Sequence, residues 1–124
     1  GVMCYSPLAV GLLSGVYSPD EPPPAGTLWG TRLREEFAQR MSGPTGQVIT
    51  TLKRLAAELG KTPAQLAVAW VLSHPEVTVA ISGSDTIEQL DDTLGGVGWE
   101  LDAAVREELD EVSRSFVRLI APPA

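Results

Sequence analysis

Two short apolar runs stand apart from the longer amphipathic stretches of the chain: Val2–Tyr5 and Val77–Ile81. Both are dominated by branched, sulfur-containing or aromatic side chains and both are followed by a small polar residue, a pattern typical of buried strands. The first run stops at Ser6 and Pro7, and proline has no N–H to donate within a central sheet. The pattern therefore predicts two buried strands that lie far apart in the sequence.

Helical periodicity covers most of the remaining residues. Apolar side chains that recur every three or four positions predict helices over 33–41, 47–59 and 62–72, a helix that begins at Thr86, and a last one over 102–116. The helix over 62–72 has the clearest start, because Thr62, Pro63 and Gln65 match a threonine cap, a first-turn proline and a glutamine that closes a capping box. Its body is apolar nearly all round, which predicts packing between two layers.

Two segments near the beginning of the chain lack a regular pattern. Residues 18–30 contain four prolines and two glycines, which predicts a long exposed loop that could act as a lid. Trp29 in this loop is expected either to pin it down or to line the mouth of a pocket. The preceding residues 8–17 are apolar but interrupted by Gly11 and Gly15, so they form either an apolar-lined loop or a distorted helical turn.

The turn after the second strand, residues 82–85, leads directly into a helix. Its small residues, its hydroxyl groups and the free N–H groups of a helix start would suit an anion such as phosphate. The alternative is an ordinary helix start in which Asp85 caps the first turn and Glu88 follows, with no ligand needed. Spacing alone favours the cap, and Asp85 would also place negative charge at the mouth of an anion site.

Strands joined by helical crossovers predict a parallel α/β architecture. A sheet of two parallel strands cannot cover its own faces and edges, so we expect more strands from outside this sequence. We therefore predict the C-terminal part of a (β/α)8 TIM-type barrel, with its last two strands, their helices and a C-terminal helix. Residues 1–117 would form this segment and residues 118–124 a disordered tail. A first residue that is not methionine and already lies in a strand also suggests a fragment.

Composition narrows the choice of partners. The 124 residues are 44% hydrophobic and 20% charged with a net charge of −7, as expected for one small globular domain. No basic cluster offsets this charge, so nucleic acid is not an expected partner. Residues 52–72 superficially resemble a helix-turn-helix, but the second helix has no lysine or arginine to meet DNA. Neither a membrane-length apolar run nor a signal segment is evident, so no membrane partner is expected.

The single cysteine and single histidine carry little predicted chemistry. Cys4 excludes an internal disulfide framework and fits a reducing compartment, so we predict a cytoplasmic location. His74 closes the helix over 62–72, where we expect it to interact with the helix dipole or with solvent. No metal site is predicted.

Several segments, in their order and spacing, resemble the aldo-keto reductases. They are Tyr5-Ser6-Pro7-Leu8-Ala9, Gly11-Leu12-Leu13-Ser14-Gly15 with Tyr17, residues 64–72, Ile81-Ser82-Gly83-Ser84 and Glu88-Gln89-Leu90. The resemblance covers residues 2 to about 113 and is greatest to the bacterial branch related to potassium-channel β subunits. It implies a (β/α)8 barrel that transfers hydride between NADP(H) and an aldehyde or ketone, with this chain starting at the seventh strand.

The resemblance also implies which residues hold the cofactor. Tyr5 would stack on the nicotinamide, and Ser6, Leu8 and Gly11 would follow the pyrophosphate. The adenosine end would be held by Gly83, Ser84 and Gln89 around the 2′-phosphate and by Asp92 with Thr93 at the adenine. Family members often place arginine or lysine near the 2′-phosphate, whereas this chain has Gly83, Asp85 and Gln89, so NAD(H) is an alternative to NADP(H).

No residue of this chain matches the catalytic aspartate, tyrosine, lysine and histidine of the family, which come from earlier strands. Tyr17, Lys53, Lys61 and His74 are therefore not assigned these roles. The chain alone is expected to be inactive, with the missing N-terminal part of the barrel as its partner and a small carbonyl compound as the substrate of the whole enzyme. The alternative is a non-catalytic, nucleotide-sensing regulatory subunit of the same fold.

Overall fold

The computed structural model of the chain describes residues 1–120. The elements follow the order β1 (Val2–Tyr5), α1 (Leu28–Thr31), α2 (Arg34–Met41), α3 (Pro44–Glu58), α4 (Pro63–Leu72), β2 (Val77–Ile81), α5 (Ile87–Leu94) and α6 (Ala103–Ile120). The two strands are hydrogen-bonded neighbours and run parallel. Both predicted strands and their parallel α/β arrangement are therefore confirmed.

Three predicted boundaries differ from the structure. The helix predicted from residue 47 begins at Pro44, because proline is well tolerated in a first turn. The loop predicted over 18–30 ends earlier, since Thr27 caps the short helix α1 by accepting a hydrogen bond from the Gly30 N–H at 3.0 Å. The last helix continues to Ile120, so the tail predicted over 118–124 would begin inside this helix.

Two predictions concern residues near the end of the chain that lie wholly or partly outside the described part of the structure. Residues 121–124 of the predicted tail lie outside the described residues. The side chain of Phe116, predicted on the inner face of the last helix, also lies outside the described part.

The core forms where α3 packs against α2, α4 and α6. Its most deeply buried large side chains are Ile49, Leu52, Leu66 and Leu109. Helix α4 lies between α3 on one side and β2 with α5 on the other, which confirms the prediction of a helix packed between layers. Leu59, assigned to the buried stripe of α3, is instead 38% exposed, because it forms the C-cap after the last full turn.

The prediction that both strands are buried is wrong, since no residue of either strand is fully buried, and one face of the sheet is the more exposed. Met3 lies opposite Val79 and Tyr5 opposite Ile81, so these four side chains share a face. In the order Met3, Val79, Tyr5 and Ile81, their exposed fractions are 69%, 42%, 83% and 50%. Helix α4 packs against β2, and the high exposure of these four side chains shows that no comparable layer covers the face they share. We call this exposed apolar surface the open sheet face.

The predicted cap of α4 is confirmed. The Thr62 hydroxyl accepts a hydrogen bond from the Gln65 N–H at 3.2 Å, and the Gln65 side-chain oxygen accepts one from the Thr62 N–H at 3.1 Å. His74, after the C-terminus of α4, places Nδ1 2.9 Å from the Trp70 carbonyl oxygen and Nε2 3.1 Å from the Asp110 carboxylate. The histidine therefore joins α4 to α6. None of the described helices is long and apolar enough to cross a membrane.

Candidate functional site

The carboxyl ends of β1 and β2 meet at one edge of the sheet. Because Tyr5 pairs with Ile81, the segments that begin at Ser6 and Ser82 leave the sheet side by side. In parallel α/β folds this edge is where ligands bind. The residues predicted to hold a cofactor all lie on these two segments, at the end of β1 or on α5: Tyr5, Ser6, Leu8, Gly11, Gly83, Ser84, Gln89, Asp92 and Thr93.

The segment after β1 is a loop with an unusual backbone. The φ angles are 53° at Ser6, 49° at Ala9, 57° at Val10 and 86° at Gly11, all in the left-handed region. Such angles are costly for residues other than glycine, above all for the β-branched Val10. Of the two alternatives left open for residues 8–17, the structure shows the loop.

The buried side chain of Trp29 holds the loop after β1 from the interior of the protein. Its indole N–H donates to the Val10 carbonyl oxygen at 2.9 Å, and only 2% of the residue is exposed. The ring packs 6.4 Å from the Phe37 ring, and the Arg40 guanidinium lies 5.4 Å from its centre. Trp29 also lines an apolar groove of about 570 Å³ together with Leu12 and Val10. Trp29 therefore both pins its own segment, predicted as the loop over 18–30, to the loop after β1 and borders a groove.

The turn after β2 ends in a self-contained helix cap. Thr86, not Asp85 as predicted, is the N-cap of α5, and its hydroxyl accepts from the Gln89 N–H at 3.2 Å. The Gln89 side-chain oxygen in turn accepts from the Asp85 N–H at 2.8 Å. An anion at this turn would therefore meet Gly83 and Ser84 rather than the amide of Asp85. Gly83 has open space around it, since a Cβ at this position would meet no atom within 4 Å.

Two candidate residues on α5 already have partners in the protein. The Asp92 carboxylate accepts a hydrogen bond from the Thr62 hydroxyl at 2.7 Å. The Thr93 hydroxyl donates to the Gln89 carbonyl oxygen at 2.6 Å, and Thr93 is only 6% exposed. Asp92 keeps a second carboxylate oxygen for another donor. Their assignment to an adenine ring stays a prediction.

The charge at the α5 end of the site is negative. The sequence has no lysine or arginine between Lys61 and Arg106, and the turn and helix carry four acids: Asp85, Glu88, Asp91 and Asp92. The Lys61 ammonium lies 4.9 Å from the Trp99 ring centre. A phosphate bound here would rely on backbone and hydroxyl donors.

The four residues excluded from catalytic roles all take part in packing or structural contacts. Tyr17 is 6% exposed, with its ring 5.7 Å from that of Phe37. Lys53 donates to the Ser18 hydroxyl at 2.7 Å and to the Tyr17 carbonyl oxygen at 3.3 Å. Lys61 and His74 make the contacts described above.

A second groove, of about 810 Å³, was not anticipated from the sequence. It is lined in part by Ser73, Gly96, Trp99, Asp102 and Arg106. Ser73 precedes β2, so this groove lies towards the amino end of that strand, away from the candidate site. The Arg106 Nε–H is buried without a partner among the described residues, while another guanidinium nitrogen donates to the Ser73 carbonyl oxygen at 3.3 Å.

A model of the aldo/keto reductase family matches residues 1–114. An uncharacterized oxidoreductase of Mycobacterium tuberculosis is 35% identical over 93% of this chain and 34% of its own length. Two proteins of Schizosaccharomyces pombe are also similar. One, named as a putative voltage-gated potassium channel subunit beta, is 30% identical over 90% of this chain and 33% of its own length. The aldo-keto reductase yakc [NADP(+)] is 26% identical over 89% and 32%.

The solved structure of a glycerol dehydrogenase from Gluconobacter oxydans superposes with a TM-score of 0.71 at 24% identity, covering 99% of this chain and 37% of that enzyme. The likeness shows that the chain has the fold of the corresponding part of that protein. The chain spans about a third of the length of the curated relatives it matches.

Proposed function

The chain belongs to the aldo/keto reductase family, and we propose that it is the cofactor-binding segment of an oxidoreductase of this family. In the proposed reaction the complete protein transfers hydride between a nicotinamide cofactor and an aldehyde or ketone. The segment would be the C-terminal part of a (β/α)8 barrel, and its partner would be the N-terminal part that carries the catalytic residues.

One observation carries this proposal. The parallel pairing of β1 and β2 brings two sets of candidate residues, far apart in the sequence, to the same carboxyl edge. Active sites of (β/α)8 barrels are built at this edge of the strands. The open sheet face supports the proposed partner, because other strands of a barrel would cover Met3 and Val79, which lie deeper along the strands than Tyr5 at the carboxyl edge.

The side chains at the edge fit a dinucleotide. Tyr5 is 83% exposed and would present its ring to the nicotinamide. Ser6, Leu8 and Gly11 would follow the pyrophosphate, and the open surroundings of Gly83 would admit the adenosine end. NADP(H) is the proposed form, supported by the NADP(+) in the name of the relative yakc, with NAD(H) as the alternative because the turn after β2 and helix α5 contain no basic residue.

A bound nicotinamide supplies or accepts the hydride. The residues of this chain hold and orient the cofactor, and the proton that carbonyl reduction requires would come from the rest of the barrel. The chain alone would therefore bind the cofactor without catalysing the reaction.

A second candidate function is a nucleotide-sensing regulatory subunit of the same fold. The similarity to the protein named as a potassium channel subunit beta supports it. In that case the same edge would bind the nucleotide, and the catalytic residues in the rest of the protein would be altered.

The test is a titration of NADPH and of NADH into the chain, followed by nicotinamide fluorescence. Tyr5→Ala should weaken binding by removing the ring, whereas Tyr5→Phe keeps the ring and should bind nearly as well as the wild type. Failure of the wild type to bind either nucleotide, or equal binding by all three proteins, would contradict the proposed site.

A further inference from the structure

Trp29 is the buried residue whose polar group points at the loop after β1. The indole N–H donates to the Val10 carbonyl oxygen at 2.9 Å, across 19 positions of sequence. The acceptor lies in the left-handed turn formed by Ala9, Val10 and Gly11, with φ angles of 49°, 57° and 86°. A non-glycine residue holds such angles only when surrounding contacts impose them.

The bond has a directional consequence for the next residue. The Val10 carbonyl and the Gly11 N–H belong to one peptide plane, and in a trans peptide they point in opposite directions. The structure has no cis peptide bonds among the described residues. Because the carbonyl is turned towards the buried indole, the Gly11 N–H is turned away from it. Among the described residues this N–H has no hydrogen-bond acceptor.

Gly11 is one of the residues proposed to follow the pyrophosphate. We propose that Trp29 is a positioning residue for the dinucleotide site, which aims the Gly11 N–H away from the core and towards the phosphates by holding the Val10 carbonyl. This inference rests on the proposed function. It gives the buried tryptophan a role that its ring packing against Phe37 and Arg40 does not require, since phenylalanine could also supply that packing.

The turn is also held by bonds that do not involve Trp29. The Ala9 N–H donates to the Ser6 carbonyl oxygen at 2.9 Å, and the Leu13 N–H donates to the Leu8 carbonyl oxygen at 3.0 Å. The Leu12 N–H also donates to the Ala9 carbonyl oxygen at 3.3 Å and closes the tight turn whose middle peptide is Val10–Gly11. None of these three bonds ends on the Val10 carbonyl or the Gly11 N–H, so among the described residues the indole is the group bonded to that peptide plane. Loss of the indole N–H should therefore loosen the orientation of this plane, while the backbone bonds keep the loop closed.

The test compares Trp29→Phe with a matched variant, Trp99→Phe. The Trp99 indole N–H also donates to a backbone carbonyl, that of Gly95, at 3.0 Å, but this bond lies at the far end of α5. Affinities of each protein for NADPH, NADH and adenosine 2′-monophosphate are measured, and thermal melting is followed in parallel. The monophosphate has the adenosine end of NADPH but no pyrophosphate.

Trp29→Phe should weaken binding of the dinucleotide by about three- to tenfold, the effect of losing one hydrogen bond, and leave the monophosphate affinity unchanged. Trp99→Phe should leave both affinities unchanged. Equal dinucleotide binding by Trp29→Phe and the wild type would overturn the inference, as would a parallel loss of affinity for both ligands. A wild-type chain that binds no nucleotide would refute the proposed function itself, and the positioning role with it.

The binding test also requires that the Trp29→Phe variant folds. If Trp29→Phe shows no cooperative melting transition, Trp29 is replaced instead by β-(3-benzothienyl)alanine. This residue keeps the ring volume and has sulfur in place of the N–H. The same loss of dinucleotide affinity is expected from this replacement. Unchanged affinity would overturn the inference.

Discussion

The Thr62 hydroxyl donates a hydrogen bond to the Asp92 carboxylate at 2.7 Å while it accepts one from the Gln65 N–H. One side chain thus caps α4 and also holds α5, the helix that carries part of the proposed nucleotide site. The two residues are 30 positions apart, so the contact couples the start of one helix to the last turns of another.

Replacing Thr62 with valine should lower the free energy of unfolding. The change removes the cap and leaves Asp92 without its hydroxyl donor, which should cost about 1–3 kcal/mol. Denaturant unfolding of Thr62→Val, Asp92→Asn and the double variant measures the coupling between the two sites. Additive changes in the free energy of unfolding would contradict the coupling. Thr62→Ser keeps the hydroxyl and should therefore retain most of the wild-type stability.

Two glycine substitutions should separate stability from binding. A Cβ at Gly96 would lie 2.7 Å from the Gln65 carbonyl oxygen and 2.7 Å from the Val68 Cβ, so Gly96→Ala should destabilise the chain by about 1–3 kcal/mol. Gly83→Ala meets no atom within 4 Å and should change stability by less than about 0.5 kcal/mol. It should nevertheless weaken nucleotide binding, because the methyl group would occupy the approach to the backbone. Calorimetry and fluorescence titration measure the two effects, and a destabilised Gly83→Ala would count against this division.

The acidic α5 end of the site should set the preference between nucleotides. Asp85→Lys replaces an exposed negative charge with a positive one beside the proposed 2′-phosphate position. It should raise the affinity for NADPH about tenfold relative to NADH. Glu107→Lys makes the same change of net charge on the exposed side of α6 and serves as the control. An equal response to both variants would indicate a general charge effect and not a local contact.

The open sheet face should cause the isolated chain to self-associate. Met3 is 69% exposed and Val79 42% exposed on this face, and an apolar patch of this kind favours association. Sedimentation velocity should show a concentration-dependent increase in mass that Met3→Lys reduces. Val16→Lys changes a residue that is 55% exposed but lies outside the sheet, so it should have a smaller effect. A wild-type chain that stays monomeric at all concentrations would contradict this prediction.

Much of the fold could be predicted because its signals are local. Thr62 and Gln65 lie three positions apart, and their reciprocal bonds follow from helix geometry alone. The apolar stripe of α3 is predictable for the same reason, apart from Leu59 at its end. The sequence places the helix start after β2 at Thr86 but favours Asp85 as its cap, because several polar residues in a row can each satisfy the same rule.

The sequence by itself determined the two strands and the helix periodicities, since each depends on neighbours within a few positions, whereas the candidate residues came from the resemblance to a family. Only the tertiary structure decided that Trp29 holds the Val10 carbonyl, that Thr62 holds Asp92, and which side chains form the open sheet face. The two hydrogen bonds join residues 19 and 30 positions apart. Their formation depends on how complete helices and strands pack, and no local pattern of polar and apolar residues encodes that packing.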